Sequence, residues 1–198
     1  MGAEEKTMSG GSILDYRSYP VYARNGEDFY RETQKAAEAV LDYLQPTGTI
    51  WDPACGKGRI VLEARRRGLT CLASDIVDRG CPDSRICDFT KVVACWQDVD
   101  WIVANPPFKL IETFIRRAVE IAPDVVMMGQ LTLLEGQKRG KNLWPVMPFY
   151  RVLVHSSRVS MPPGDIEDEV KAEGGNKAFA WYWFKRNHKA LATVDFLP

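Results

Sequence analysis

The chain has 198 residues, of which 45% are hydrophobic and 26% are charged, a size and balance typical of a single globular domain with its own core. It carries 26 basic and 26 acidic residues, which excludes a globally basic nucleic-acid-binding protein and leaves only local patches for an anionic partner. Five cysteines without a CxxC pair, together with two histidines, argue against a metal site and for reduced thiols.

The predicted elements alternate along the chain, after a polar, glycine-containing stretch at residues 1–16 that we expect to be a flexible N-terminal tail. The remaining residues, 17–198, are expected to form one domain. Apolar residues at helical spacing predict three helices, at residues 29–44, 59–67 and 109–121, and a further short helix is expected near Trp144. Short apolar runs predict seven strands, at residues 49–51, 70–73, 86–88, 99–104, 124–128, 151–155 and 178–184.

This order of elements predicts an α/β fold: a single-domain, doubly wound, mostly parallel seven-stranded sheet covered by helices on both faces. The last two predicted strands have no helix between them, which favours an antiparallel strand near the C-terminus. No apolar run reaches the length of a membrane span, and the N-terminus has no signal-peptide core. We therefore expect a cytoplasmic protein that does not contact a membrane.

A glycine-containing turn joins the first predicted strand to the second predicted helix. Residues 52–58 read DPACGKG, in which Gly56 and Gly58 allow a tight turn and a close approach of the backbone to a ligand. The turn is neither a P-loop nor a GxGxxG motif, so by itself it could be an ordinary connection between strand and helix.

Two acidic residues follow the next strands. Asp75 ends the second strand, 23 residues after Asp52, and a carboxylate at that place can accept both hydroxyls of a ribose. Asp88 ends the third predicted strand, where it could accept a hydrogen bond from an adenine amino group while Phe89 flanks the ring. A strand-end acid beside a core phenylalanine is an equally good interpretation of this last pair.

The tetrapeptide Asn105-Pro106-Pro107-Phe108 follows the fourth strand and is the most informative stretch of the chain. Two prolines stiffen the backbone and forbid a helix, so the Asn side chain and the Pro106 carbonyl become fixed acceptors beside an aromatic face. That arrangement suits a planar group that carries an amine. Because ligands of open α/β sheets bind at the carboxyl ends of the strands, we expect this turn, Asp52 and Asp75 to share one edge.

The DPACGKG turn and the NPPF turn together resemble the class I S-adenosylmethionine-dependent methyltransferases, in particular the bacterial and phage DNA adenine-N6 enzymes. Residues 28–33, DFYRET, resemble the Asp-Phe-Tyr-x-Thr-Pro stretch that precedes the first helix in such phage enzymes, with one residue inserted and Gln34 in place of the proline. The resemblance extends from about Phe29 to Phe184. It implies a Rossmann-like methyltransferase domain at 17–198. Specific DNA methyltransferases usually carry a separate target-recognition domain, but little chain remains for one after the core strands are counted, so we expect none here.

The resemblance also implies roles for individual residues. The catalytic residues would be Asn105, Pro106, Pro107 and Phe108, with Phe108 stacking on the acceptor base. The residues that bind the cofactor S-adenosyl-L-methionine would be Tyr30, Thr33, Asp52, Pro53, Ala54, Cys55, Gly56, Gly58, Asp75, Ile76, Asp88 and Phe89. The acceptor would be the exocyclic amine of a nucleobase, which attacks the methyl group and loses its proton afterwards, so that catalysis is mainly positioning and preorganised dipoles.

Basic residues near the tetrapeptide are candidates for phosphate contacts. Lys109 follows Phe108 directly, and Lys138, Arg139 and Lys141 lie in a stretch expected to be a flexible loop on the same edge. An ordinary solvated loop is nearly as good an interpretation. By contrast, the loop at residues 161–176 is acidic, and it could cover the site or exclude unwanted substrates.

Several functions remain open at the level of the sequence. Adenine N6 of DNA is the expected acceptor, with adenine N6 of RNA and cytosine N4 of DNA as alternatives and a non-catalytic binding module as a third class. The intact NPPF and glycine turns argue against the module. A protein-glutamine methyltransferase uses a similar turn but has a larger N-terminal domain than this chain offers. The partner is thus expected to be DNA, or else RNA, and the protein a monomer or homodimer.

Overall fold

A computed structural model describes residues 30–91, 96, 98–159, 161 and 177–198. The expected tail at residues 1–16 and most of the acidic loop lie outside these residues. The helices are α1 Gln34–Leu44, α2 Arg59–Arg66, α3 Ile111–Ile121 and α4 Gln137–Asn142. The strands are β1 Thr49–Asp52, β2 Thr70–Asp75, β3 Arg85–Ile86, β4 Trp101–Ala104, β5 Asp124–Gln130, β6 Phe149–His155, β7 Phe179–Lys185 and β8 Thr193–Leu197. Single 3₁₀ turns occupy Phe108–Leu110 and Leu131–Leu134.

The strands form one mixed sheet in the order β3-β2-β1-β4-β5-β7-β6-β8. The first five are parallel to one another, while β7 runs antiparallel to both β5 and β6, and β8 pairs in parallel with β6. The predicted α/β fold, its mostly parallel sheet and its antiparallel strand near the C-terminus are confirmed. The prediction of seven strands is wrong, because the described residues form eight.

The additional strand, β8, lies at the edge of the sheet. Its side chains Val194 and Phe196 are exposed, and Leu197 is buried. A five-residue edge strand with apolar residues in solvent lacks the continuous apolar run by which buried strands are predicted.

Both faces of the sheet are buried, which explains the apolar runs of its strands. Val103 of β4 packs into the cluster that contains α1 and α2, while its neighbour Ile102 packs into the cluster that contains α3. Consecutive residues of a strand point to opposite faces, so a strand covered on both sides must be apolar at every position. Among the described residues, we find no helix that is long and apolar enough to span a membrane.

The parallel strands bring the predicted turns to one edge. Asp52 ends β1, Asp75 ends β2 and Asn105 directly follows β4. Strand β6 runs in the same direction as β5, since both are antiparallel to β7, so His155 also lies at this carboxyl edge.

Two local predictions are wrong here. The third strand ends at Ile86, which places Asp88 beyond it, and the basic stretch predicted as a loop forms the helix α4, ending before Trp144.

Candidate functional site

A cavity of about 280 Å³ opens at the carboxyl edge of the sheet, beside the glycine turn. It is bounded by residues from five stretches of the chain: 30–32, 53–59, 75–79, 87–91 and 105–114. Of the predicted cofactor residues, those that line it are Tyr30, Pro53, Ala54, Cys55, Gly56, Asp75, Ile76, Asp88 and Phe89. Thus segments that are distant in sequence meet around one space, as their positions at strand ends predicted.

The glycine turn is fixed to the end of β2 by two hydrogen bonds. The Gly56 N–H donates to Asp75 Oδ2 at 2.9 Å, and the Cys55 N–H donates to the Ser74 carbonyl at 3.0 Å. Gly58 precedes α2 with φ +85°, and a Cβ added there would lie 2.5 Å from Cys81 Sγ. The turn therefore requires glycine at residue 58 for conformation and for space, although Gly58 itself does not line the cavity.

Three carboxyl groups lie close to the glycine turn: those of Glu32 and Asp75 line the cavity, and that of Asp52 lies beneath the turn. Asp52 is 1% exposed and accepts a hydrogen bond from the Ala54 N–H at 3.1 Å. Burial raises the pKa of Asp52 well above its usual value, and the neighbouring Glu32 and Asp75 carboxylates raise it further. Within the described part of the chain, no cluster of His, Cys, Asp and Glu could hold a metal ion. A buried acid whose pKa is raised by neighbouring carboxylates favours a ligand with positive charge.

Asn105 is held by its amide nitrogen. Its Nδ2 donates to the Tyr30 carbonyl and to Glu32 Oε2, both at 2.9 Å. A backbone carbonyl can only accept, so the Tyr30 contact settles which end of the amide is NH₂. The opposite end, Oδ1, is buried and has no hydrogen-bond partner in the protein. A buried acceptor without a partner costs about 1–3 kcal/mol, and a bound N–H would remove that cost.

Glu32 contacts Asn105 and lines the cavity, and the sequence interpretation did not assign it a role. It is 7% exposed, and burial raises the pKa of its carboxyl, opposed by the hydrogen bond from Asn105. Its partner lies 73 residues away in the chain, so no local pattern could show the contact. The one available signal was an acid immediately before a helix, within the stretch that resembles the phage enzymes.

The rest of the tetrapeptide divides between the cavity and the aromatic side chains next to it. Pro107 lines the cavity, whereas Pro106 and Phe108 do not. The Phe108 ring lies 5.7 Å from the Tyr30 ring at an interplanar angle of 22°, and 5.4 Å from the Phe179 ring at 31°. Rings of the protein itself therefore already contact Phe108, which was expected to stack on a ligand.

Thr33 and Asp52 are also absent from the cavity wall. The Thr33 hydroxyl accepts from the Ala36 N–H at 3.2 Å and caps α1, while Asp52 lies beneath the glycine turn. Asp88 is at the wall, where hydrogen bonds from Thr90 and Lys91 lower the pKa of its carboxyl. Phe89 is nearly buried, with its ring 4.8 Å from that of Phe114. Lining residues not predicted from the sequence include Arg31, Glu32, Lys57, Arg59, Arg79, Thr90, Lys91, Leu110 and Phe114.

The predicted phosphate-binding residues lie outside the cavity. Lys109, Lys138 and Lys141 are exposed. Arg139 instead donates to the Leu133 carbonyl at 2.8 Å and to the Glu135 carbonyl at 2.9 Å, so it fastens α4 to the segment before it.

The cysteines at this edge differ from one another. A hydrogen bond with Cys81 and burial raise the pKa of Cys55, which keeps its thiol protonated and unsuited to act as a nucleophile. Cys87 is disulfide-bonded, so the expectation of reduced thiols is wrong for this residue.

The sequence matches no protein-family model and no curated protein. Solved structures share its fold. A Pyrococcus horikoshii protein provisionally assigned as an RNA methyltransferase superposes with a TM-score of 0.58 at 16% identity, over 79% of this chain and 86% of that one. The modification subunit of a provisionally assigned type I restriction enzyme from Vibrio vulnificus gives 0.55 at 13% identity, over 85% of this chain and 46% of that one. Magnesium protoporphyrin IX methyltransferase from Synechocystis, solved with S-adenosylmethionine bound, gives 0.54 at 12% identity, over 78% and 79%. The chain thus has the Rossmann-like fold of class I methyltransferases.

Proposed function

We propose that this protein transfers a methyl group from S-adenosyl-L-methionine to the exocyclic amine of a nucleobase, with adenine N6 of DNA as the acceptor. The observation that carries the proposal is the buried, unpartnered Oδ1 of Asn105 at the wall of the cavity. An acceptor in that position, fixed by two hydrogen bonds to its own amide nitrogen, is prepared to receive one N–H of an amine.

The cavity fits the proposed cofactor by charge and by donor set. S-adenosylmethionine carries a sulfonium and an ammonium. The carboxyl groups of Glu32 and Asp75 line the cavity next to the glycine turn, and that of Asp52 lies beneath the turn. Asp75 would hold the ribose hydroxyls, and Asp88 with Phe89 would hold the adenine. When bound, the cofactor supplies a methyl group on a positively charged sulfur, which an amine can take without prior deprotonation.

The contribution of the protein is to position the amine. The lone pair of an exocyclic amine is delocalised into its ring, which makes the nitrogen a poor nucleophile. If Asn105 Oδ1 accepts one N–H and the Pro106 carbonyl accepts the other, both hydrogens are drawn out of the ring plane and the lone pair is freed. After transfer the nitrogen loses a proton, so no strong base is needed beforehand.

Support for a nucleic-acid acceptor comes from the NPPF turn, from the likeness to phage adenine enzymes and from two structural neighbours. Of those neighbours, one is provisionally assigned as an RNA methyltransferase and the other as the modification subunit of a type I restriction enzyme. RNA is accordingly the second candidate. Extraction of a base from a duplex costs a few kcal/mol, and a single-stranded acceptor would avoid this cost.

The test is to incubate the protein with methyl-labelled cofactor and unmethylated DNA, RNA and protein acceptors, and to identify the labelled product by mass spectrometry. We expect N6-methyldeoxyadenosine. Asn105→Ala should lower turnover about 10²–10³-fold, as the loss of a preorganised hydrogen-bonding group does, and should leave the cofactor Kd from calorimetry unchanged. Binding of the cofactor without transfer to any acceptor would instead indicate a non-catalytic module.

A further inference from the structure

A second cavity, of about 220 Å³, lies at the same carboxyl edge, where the N-terminus of α1 meets the segment that follows β6. Its walls include Thr33, Lys35, Ser157 and Arg158, together with His155 at the end of β6. None of these residues lines the first cavity. The function proposed above gives this second space no role.

The cavity is rich in hydrogen-bond donors and positive charge. Lys35 and Arg158 contribute two cations from different elements, and none of the described residues that line the cavity is acidic. The Lys35 ammonium donates to Ser157 Oγ at 3.3 Å, which brings it across to the opposite wall. The N-terminus of α1 adds the positive end of the helix dipole, while the Ala36 and Ala37 N–H groups already donate to Thr33.

His155 contributes a neutral donor. Burial, together with the charge of Lys35, lowers the pKa of His155 to about 4, so its ring is uncharged at neutral pH. The Trp181 indole N–H donates to His155 Nε2 at 3.1 Å, and the proton of the neutral ring therefore lies on Nδ1. This wall thus offers ammonium, guanidinium, hydroxyl and imidazole donors, a set that suits a phosphate oxygen.

The second cavity is connected to Asn105 through short covalent and packing steps. Thr33, at its wall, directly follows Glu32, whose carboxylate holds Asn105. On the neighbouring strand, Phe179 contacts Phe108 of the tetrapeptide. The second cavity and Asn105 are thus joined by the stretch that leads into α1, and both lie at the carboxyl edge of the sheet.

We propose that the second cavity binds a backbone phosphate of the polynucleotide that carries the acceptor base. The proposal rests on the proposed function for the class of acceptor, and it makes that acceptor a polymer rather than a free nucleoside. Lys35 and Arg158 supply the charge, while the hydroxyls and the helix N-terminus direct the phosphate oxygens.

The test measures binding of fluorescently labelled 12-nucleotide DNA and RNA strands by anisotropy, between 50 mM and 1 M salt and without cofactor. One lost phosphate contact reduces the magnitude of the log–log salt slope by about 0.7 for single strands, which corresponds to about eightfold weaker binding at 50 mM salt. We expect that change for Lys35→Gln, uniformly across oligonucleotide sequences, and a larger one for Lys35→Glu. Lys35→Arg should retain most of the affinity.

Lys189→Glu is the matched control, because Lys189 is an exposed lysine that follows β7 at the opposite edge of the sheet. It should leave the salt slope unchanged. Equal losses in Lys35→Glu and Lys189→Glu, or no loss in either, would refute the phosphate site. Calorimetry with S-adenosylmethionine separates the phosphate site from the proposed function. If the Lys35 variants bind the cofactor and keep the wild-type salt slope, the phosphate site is refuted and the proposed function is not. Preference of the wild type for one of the two strands identifies the polymer.

Discussion

Replacing Glu32 should separate the positioning of Asn105 from the charge of the site. Glu32→Ala removes one of the two acceptors of the Asn105 NH₂ group and leaves only the Tyr30 carbonyl. Glu32→Gln removes the same negative charge but keeps a side-chain oxygen that can accept the hydrogen bond. Comparing the two variants therefore isolates the hydrogen bond, because any loss of cofactor affinity from the missing charge is common to both.

The expected magnitude follows from the geometry. With a single anchor, the Asn105 amide can rotate about its remaining bond and move Oδ1 away from the acceptor amine. A misplacement of about 1 Å costs on the order of 10² in rate, or about 2.7 kcal/mol of barrier. We therefore expect kcat to fall about 10²-fold in Glu32→Ala and less than tenfold in Glu32→Gln.

The assay is transfer of labelled methyl groups to saturating unmethylated DNA, with the cofactor Kd measured separately by calorimetry. Glu120→Gln is the matched control, since Glu120 is exposed near the C-terminal end of α3, away from the carboxyl edge, and it should have wild-type kinetics. Indistinguishable kcat values for Glu32→Ala and Glu32→Gln would show that the hydrogen bond to Asn105 does not matter, and the role assigned to Glu32 would be wrong.

Three further variants test the turn and the fold around it. Burial raises the folded-state pKa of Asp52, so its ionisation opposes folding as pH rises through that pKa. Asp52→Asn should therefore raise the Tm of the free protein at pH 8 and reduce the increase in Tm that S-adenosylmethionine causes. A larger increase in the variant would contradict the role of the acids. Hydrogen bonds from Arg66 and Arg67 lower the pKa of Glu63 to about 2, below its unfolded value of about 4.3. Glu63→Gln should accordingly cost about 1–2 kcal/mol in urea unfolding at pH 7, where the carboxylate is ionised, and progressively less from pH 4 to pH 2.5. In Gly58→Ala the new Cβ meets Cys81 Sγ and the residue also has an unfavourable φ, whereas Gly68→Ala has a comparable φ of +77° but open space around the Cβ. Gly58→Ala should therefore lower the free energy of unfolding by about 1–2 kcal/mol more than Gly68→Ala does. Adding Cys81→Ala should restore part of that loss.

The sequence predicted the elements of the sheet and the turns at its carboxyl edge because both depend on local signals. A buried parallel strand such as β5 is a continuous apolar run, and the rule that parallel strands end together places Asp75 and Asn105 at one edge without any knowledge of packing. Strand β8 lacks that signal because it is short and half exposed. Local patterns thus determine where a residue lies in the sheet.

The direction of a side chain and the identity of its partner depend on contacts between distant parts of the chain. Phe108 follows the two prolines as predicted, yet its ring lies between those of Tyr30 and Phe179 instead of at the cavity wall. Thr33 was assigned to the cofactor, and it instead caps α1 beside the second cavity. The Thr33 contact is local to α1, whereas the Phe108 contact is long-range. The stretch before α1 lies against the NPPF turn, so the Tyr30 carbonyl and Glu32 hold Asn105 while the Tyr30 ring packs against Phe108. The Tyr30 carbonyl and Glu32 both accept from the amide nitrogen of Asn105, which leaves Oδ1 as the acceptor without a partner. We therefore expect Glu32, whose partner is 73 residues away in the chain, to control the position of the Asn105 side chain.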